Sequence, residues 1–203
     1  NRTFVAIKTA TTIDGKIATF SNNSNWITSN YARNEVRNIR KKYDAILTSS
    51  STIIADNPTM AHKCKVILDR ELKTDLSGEI YKQGKIYVFH ACSPEKKNTN
   101  SRITFIPTHC KNKKLDIGHI LKKLYELGIM SVLVESGGAL NESFLPYADK
   151  LYHFIAPKIL GDNNGKSCFY GKAVQNISDC TNLEFESFAS FPPDILLTYN
   201  KKV

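Results

Sequence analysis

The run LVESGGALNESF, residues 133 to 144, sets one carboxylate, Glu135, and a bare pair, Gly137-Gly138, between an apolar stretch and a helix start. Two readings are open. One is a tight turn, since glycine tolerates backbone conformations closed to other residues. The other is an anion cradle. A helix N-terminus leaves N–H groups unpaired, its dipole favours negative charge, and a missing Cβ lets a phosphate approach the backbone. The run is not G-x-G-x-x-G, so it lacks the Rossmann dinucleotide fingerprint. A second polar strand end, AILTSSST (45 to 52), also leads into a helix. In open α/β sheets ligands bind beyond the carboxyl ends of parallel strands, which makes both ends candidates.

Three cationic positions stand beside an apolar stripe. Ala32, Val36, Ile39 and Tyr43 recur at helical spacing, and Arg33, Arg37 and Arg40 flank them. Arg40 lies nearest the stripe and is expected to face a groove of the protein itself. For Arg33 and Arg37 a solvated charged face is the expected reading. Trp26, the only tryptophan, is either a core anchor or a flat stacking surface for a heterocycle. Lys8 sits in an otherwise apolar strand, so its ammonium must snorkel or meet an anion.

These residues need elements to hold them. FVAIKTA reads as a strand, and TIDGKI after it carries an Asp-Gly hairpin signal. A helix capped by Thr28 or Ser29 carries the arginines. DAILTSS is a buried-type strand, followed by a helical turn, STIIAD, that stops at Asn57-Pro58. KVILD, KIYVF and RITFIP are further strands. Ile117, Ile120, Leu121, Leu124 and Leu127 mark a helix ended by Gly128 in the left-handed cap position. IMSVLVE is apolar enough to be covered on both faces of a parallel sheet, and a helix runs from the glycines to about Leu145. KLYHFIAP is a strand. NLEFESFASF and DILLTYN alternate and are joined by Pro192-Pro193, which predicts an antiparallel pair. The fold expected is α/β: a mostly parallel central sheet flanked by helices, with a C-terminal antiparallel hairpin, in one domain over 1–203. CSPEKKNTNS (92 to 101) is read as a surface loop of that domain.

The 203 residues suffice for one domain, and 41% apolar content supports a real core. No apolar stretch is long enough to cross a bilayer, and NRTFVAIK is not a signal peptide, so no membrane role is expected. The net charge of +9 suits an anionic partner. The lysines are spread out, with small clusters at 41–42, 96–97 and 111–114, and are not interleaved with aromatics, which argues against nucleic acid. Five cysteines, an odd number without C-x-x-C, predict reduced thiols in a cytoplasm. His62 and Cys64, His90 and Cys92, and His109 and Cys110 lie close in sequence but lack a tetrahedral partner set, so no metal site is expected.

Several short motifs in a fixed order carry a resemblance: TIDGKIA, SNWITS, YAR with a second arginine, TIIADNP, VESGG and APKILG. Over about residues 4 to 199 the chain is similar to the reductase domain of the bifunctional riboflavin-biosynthesis deaminase/reductase family. Ser136 stands where that family usually has Gly or Ala. The resemblance implies a dihydrofolate-reductase-like fold. It implies NADPH-dependent reduction of 5-amino-6-(5-phosphoribosylamino)uracil to its ribitylamino form, a phosphorylated pyrimidine being the substrate.

It places Ser24, Arg40, Met60, Lys63 and Glu135 at substrate-binding positions, with Arg40 and Lys63 toward the phosphate. It places Ala10, Trp26, Thr52, Asp56 and the run Gly137, Gly138, Ala139, Leu140, Asn141, Glu142 and Ser143 at cofactor positions. Arg70 falls where the family often has Ser or Thr near the adenosine phosphate. Lys8, Asp56 and Glu135 are the catalytic candidates. The family's zinc-deaminase signatures, H-x-E and P-C-x-x-C, do not occur. With the abrupt start at Asn1, this suggests a C-terminal reductase piece with a deaminase domain upstream. The alternatives are a stand-alone reductase acting on the 2,5-diamino pyrimidinone before deamination, or an inactive binding module of the same fold. A homodimer is expected from the resemblance.

Overall fold

The computed structural model describes residues 1–92, 100–171 and 174–202. In chain order the elements begin with β1 (Phe4–Thr11), β2 (Lys16–Ala18), α1 (Asn30–Arg40), β3 (Ala45–Ser49), α2 (Ser50–Asp56) and β4 (Cys64–Leu68). Then come β5 (Lys85–His90), β6 (Ile103–Pro107), β7 (Cys110–Lys111), β8 (Lys114–Leu115), α3 (Ile117–Glu126) and β9 (Ser131–Val134). The last are α4 (Gly138–Phe144), β10 (Lys150–Ile155), β11 (Lys166–Ser167), β12 (Leu183–Phe191) and β13 (Asp194–Lys201). Most of the expected loop at 92–101, with Lys96 and Lys97, lies outside the described residues. The chain forms two compact units: Asn1–Phe4 with Arg40–Ser136, and Val5–Ile39 with Gly137–Val203.

The first unit holds five strands in the order β9-β3-β4-β5-β6, every pair parallel. Their near-continuous apolar runs follow from burial on both faces. On one face Ile53 of α2 packs with Ile46, Ile67, Val88, Ile80 and Tyr81. In α3 the predicted stripe Ile117, Ile120, Leu121 and Leu124 is buried, Asp116 caps the start, and Gly128 follows at φ +77°. Thr3 ties the first residues into this unit, its hydroxyl donating to Leu121 O at 3.1 Å and Ile129 O at 2.7 Å. The lysine cluster at 111–114 forms a small hairpin of β7 and β8, with Asn112 and Lys113 at positive φ.

In the second unit β1 pairs in parallel with β10, β10 pairs antiparallel with β13, and β13 antiparallel with β12. Helix α1 buries Ala32, Val36 and Ile39 as its spacing predicts. Ser29 caps it, accepting from Ala32 N at 3.3 Å, while Ser29 N donates to Asp194 at 2.6 Å.

One expectation needs correction. The Asp14-Gly15 turn forms, with Gly15 at φ +75° and Gly15 N donating to Thr12 O. Yet β2 does not ladder with β1; it pairs with β11. The C-terminal hairpin forms as expected, and β12 has no buried residue along its length. Phe185 is 56% and Phe188 72% exposed on β12, the rim strand, which among the described residues pairs with β13 alone.

Candidate active site

In the first unit the parallel strands deliver polar side chains at their carboxyl ends. Glu135 directly follows β9, and its N–H extends the ladder to Leu47 O at 2.9 Å. Its carboxylate is nearly buried and is held by Arg40, Nε to Oε1 at 2.6 Å and Nη2 to Oε2 at 3.0 Å. Burial alone would lower the Arg40 pKa; the Glu135 charge and hydrogen bonds outweigh it and hold it above its ordinary value. Two residues expected at the substrate are therefore brought together, and each is the other's counter-charge. A bidentate arginine–carboxylate pair fixes the carboxylate plane as well as its charge.

After β3, Ser49 caps α2 by accepting from Thr52 N at 3.3 Å. This leaves Thr52 in the first turn and Asp56 at the last residue, one helical turn further on. Desolvation pushes the Asp56 carboxyl up. The helix stops at Asn57, which takes the left-handed conformation (φ 39°, ψ 55°) and accepts from Glu79 N at 3.0 Å. Met60 is buried, at φ 38°, and Lys63 is exposed just before β4. After β4, buried Asp69 accepts from Lys73 N, Thr74 N and the Thr74 hydroxyl, which shapes the loop that carries Arg70. Arg70 is exposed and bonds to Glu71 and to Lys113 O.

In the second unit Lys8 is half-buried on β1, with Nζ 5.9 Å from the centre of the Phe154 ring. The aromatic face is a cation partner that the sequence did not disclose. Ala10 lies two residues further on the same strand face, and Ser24 is half-buried in the loop before α1. Trp26 is 65% exposed, so it is not a core anchor. Arg33 stacks on it at 4.3 Å from the ring centroid.

The two glycines have different reasons to be bare. A Cβ on Gly138 would lie 2.2 Å from Ser167 O, so the 167–168 backbone already occupies that space. A Cβ on Gly137 would meet nothing within 4 Å. The openness expected for both therefore belongs to Gly137, the N-cap of α4, which has no side-chain cap. Along α4, Asn141 is fully buried and donates to Cys168 O at 3.0 Å, and the Ser143 hydroxyl donates to Ala139 O at 2.9 Å. Ala139 is exposed, and Leu140 and Glu142 are half-buried. Among the described residues no group of His, Cys, Asp and Glu could hold a metal ion. No helix among them is long and apolar enough to cross a membrane.

The family model of the RibD C-terminal domain matches residues 3–197. The chain belongs to this family. Riboflavin biosynthesis protein RibD of Actinobacillus pleuropneumoniae is 32% identical across 98% of this chain and 57% of its own length. The 5-amino-6-(5-phosphoribosylamino)uracil reductase of Buchnera aphidicola subsp. Acyrthosiphon pisum is 33% identical, covering 88% of this chain and 97% of its own. Among solved structures, the Thermotoga maritima diaminohydroxyphosphoribosylaminopyrimidine deaminase/5-amino-6-(5-phosphoribosylamino)uracil reductase matches with a TM-score of 0.86 and 28% identity. That match covers 99% of this chain and 57% of the other. Dihydrofolate reductase of Enterococcus faecalis matches with a TM-score of 0.53 at 11% identity, covering 98% of this chain and 97% of its own, which shows the fold alone. This RibD C-terminal domain thus has the expected dihydrofolate-reductase-like α/β fold. It spans little more than half the length of the RibD proteins it matches first.

Within the RibD C-terminal domain, some well-placed residues had no role in the sequence reading. Asn57 was read only as a helix stop, and Asp14 only as a turn former. Both lie in motifs that carry the resemblance, which was the available signal. Lys158 lies in APKILG and carries the same signal.

Proposed function

We propose that this chain reduces 5-amino-6-(5-phosphoribosylamino)uracil to 5-amino-6-(5-phosphoribitylamino)uracil with NADPH. The observation that carries the reading is the Buchnera match, which spans nearly all of a relative named for this reaction. The chain's own chemistry agrees with it. The ribosylamine ring opens to an imine; hydride adds to C1′ and a proton to the nitrogen, giving the amine. NADPH, when bound, would supply the hydride and be oxidised to NADP⁺.

The Gly137 backbone fits the close approach of a phosphate, since nothing lies where its side chain would be. Ala10, Trp26, Thr52, Asp56 and the remainder of the α4 run complete the proposed cofactor contacts, and Arg70 meets an adenosine 2′-phosphate. Gly138 and Asn141 serve chiefly to shape that run. Ser24, Met60 and Lys63 bind substrate. Lys63 is exposed and able to meet the ribose phosphate, while Arg40 divides its donors between that phosphate and Glu135. Glu135 and Lys8 orient the opened ribose. Asp56, whose carboxyl desolvation pushes up, is the third catalytic candidate.

A homodimer belongs to the same proposal. The exposed Phe185 and Phe188 on rim strand β12 give it a surface, and a monomeric mass at micromolar concentration would count against it. An upstream deaminase domain as partner also belongs to this proposal, as the Thermotoga protein's name describes for that protein. Five unpaired cysteines suit a reducing, cytoplasmic setting.

Loss of NADPH absorbance with each candidate pyrimidine tests the reading. Turnover of the uracil supports it. Turnover only of the 2,5-diamino pyrimidinone would place the reduction before deamination, and no turnover of either would overturn it.

A further inference from the structure

Two of the motifs, TIDGKIA and APKILG, supply no proposed ligand contact beyond the strand that precedes them, yet in the second unit they are bound to each other. The Asp14 carboxylate accepts from two successive amides, Leu160 N at 3.0 Å through Oδ1 and Gly161 N at 2.9 Å through Oδ2. Ile13 N donates to Lys158 O at 2.8 Å, and Lys16 Nζ donates to Gly165 O at 3.2 Å. Gly161 sits at φ +67°, a conformation that glycine adopts without a Cβ penalty. The clamped segment projects Lys158, whose Nζ donates to the carbonyl oxygen of Trp26 at 2.7 Å.

From the other side Arg33 donates to Thr28 O at 2.7 Å and stacks its guanidinium on the indole. An indole 65% exposed in the polar loop SNNSNW has no burial to order it. Here an anion clamp and two cations, all on residues distant in sequence or on the next helix, do the ordering. Such an arrangement holds one flat apolar face at a fixed place in water, which suits a planar ring.

We infer that Asp14 and Lys158 are positioning residues that fix the Trp26 indole as a stacking face for a planar nitrogen heterocycle of the reaction. The inference rests on the proposed reductase activity for the identity of the ring, which belongs either to NADPH or to the pyrimidine.

Because Trp26 is the only tryptophan, indole emission reports this one place. The full chain is titrated separately with NADPH and with the pyrimidine, and the arm that quenches emission identifies the ring. Lys158→Met keeps the stem and removes the ammonium. It should weaken that ligand about tenfold, the scale of one charge-assisted hydrogen bond. It should also raise collisional quenching of the free protein by acrylamide, with the melting temperature retained. Lys158→Arg should restore both, and Asp14→Asn should act in the direction of Lys158→Met. Unchanged affinity and acrylamide quenching in Lys158→Met overturn the inference even if Asp14→Asn fails to fold. Turnover by the parent with no emission change from either ligand also overturns it, and leaves the reductase reading intact. Absence of turnover overturns that reading, while NADPH quenching and its loss in Lys158→Met still support the positioning.

Discussion

Arg40 grips Glu135 across 95 positions of sequence, with both of its hydrogen bonds at 3.0 Å or less. The side chains are 20% and 8% exposed, so removing one leaves the other as a poorly solvated charge. Arg40→Ala should therefore cost about 3 kcal/mol of stability, read as a shift in urea midpoint at constant slope. Arg40→Met with Glu135→Leu should recover much of that loss. An arginine kept only for a phosphate would leave the stability of the free protein unchanged.

Glu135→Gln preserves the shape and removes the charge. Turnover at saturating substrate should fall at least tenfold, about 1.4 kcal/mol of barrier, with the far-ultraviolet spectrum unchanged. Near-parental turnover would leave Glu135 with no role beyond restraining Arg40.

The glycines separate fold from ligand. Gly138→Ala forces a Cβ toward the Ser167 carbonyl, and both sides of that contact are backbone. A loss of about 3 kcal/mol is expected, visible in thermal melting. Gly137→Ala meets open space and has an ordinary φ of −74°, so melting should stay close to the parent. NADPH affinity, measured by titration calorimetry, should nonetheless fall in Gly137→Ala.

Arg70 is 43% exposed and its pair with Glu71 is a surface one, so Arg70→Ala should leave stability unaffected. The kcat/KM preference for NADPH over NADH should drop about tenfold, the scale of one charge-assisted contact to a 2′-phosphate. An unchanged preference would make Arg70 a loop residue bound to its neighbours.

His153 gives a pH dependence. Burial lowers its pKa below 6.5, and the neutral ring bonds the Thr11 hydroxyl at 2.8 Å. The unfolded chain takes up a proton before the folded one does, so the stabilisation is complete above 6.5 and is lost as pH falls toward the folded value. Replacing His153 with Gln should flatten the fall in urea midpoint between about pH 7 and pH 5.

Elements with a strong local signature were legible in the sequence. The stripes of α1 and α3, the caps at Ser29 and Gly128, and the apolar runs β3, β4, β5 and β9 follow from periodicity and burial. So did Arg40 as the arginine turned toward the protein. What was not legible depends on contacts between distant segments. No local pattern says that β2 will pair with β11, that Phe154 will lie under Lys8, or that the chain itself will fill the space at Gly138. The partner of Glu135 was hidden for the same reason, although each residue was singled out by itself. Exposure along β12 could not be foreseen either, because alternation is the same whether or not anything covers the strand.

The boundaries of the two units bear on how the molecule is made. The first unit draws on 1–4 and 40–136, and the second on 5–39 and 137–203, so the chain changes unit three times. On a ribosome the five parallel strands and the Arg40–Glu135 pair have all their parts once residue 136 has emerged. Strand β1 must wait for β10, and β10 in turn for β13, which ends at Lys201. The second unit therefore cannot close its sheet until residue 201 has emerged. Stalled or truncated chains ending between 136 and 194 should present a finished first unit beside an open sheet edge, the species that chaperones and proteases would meet.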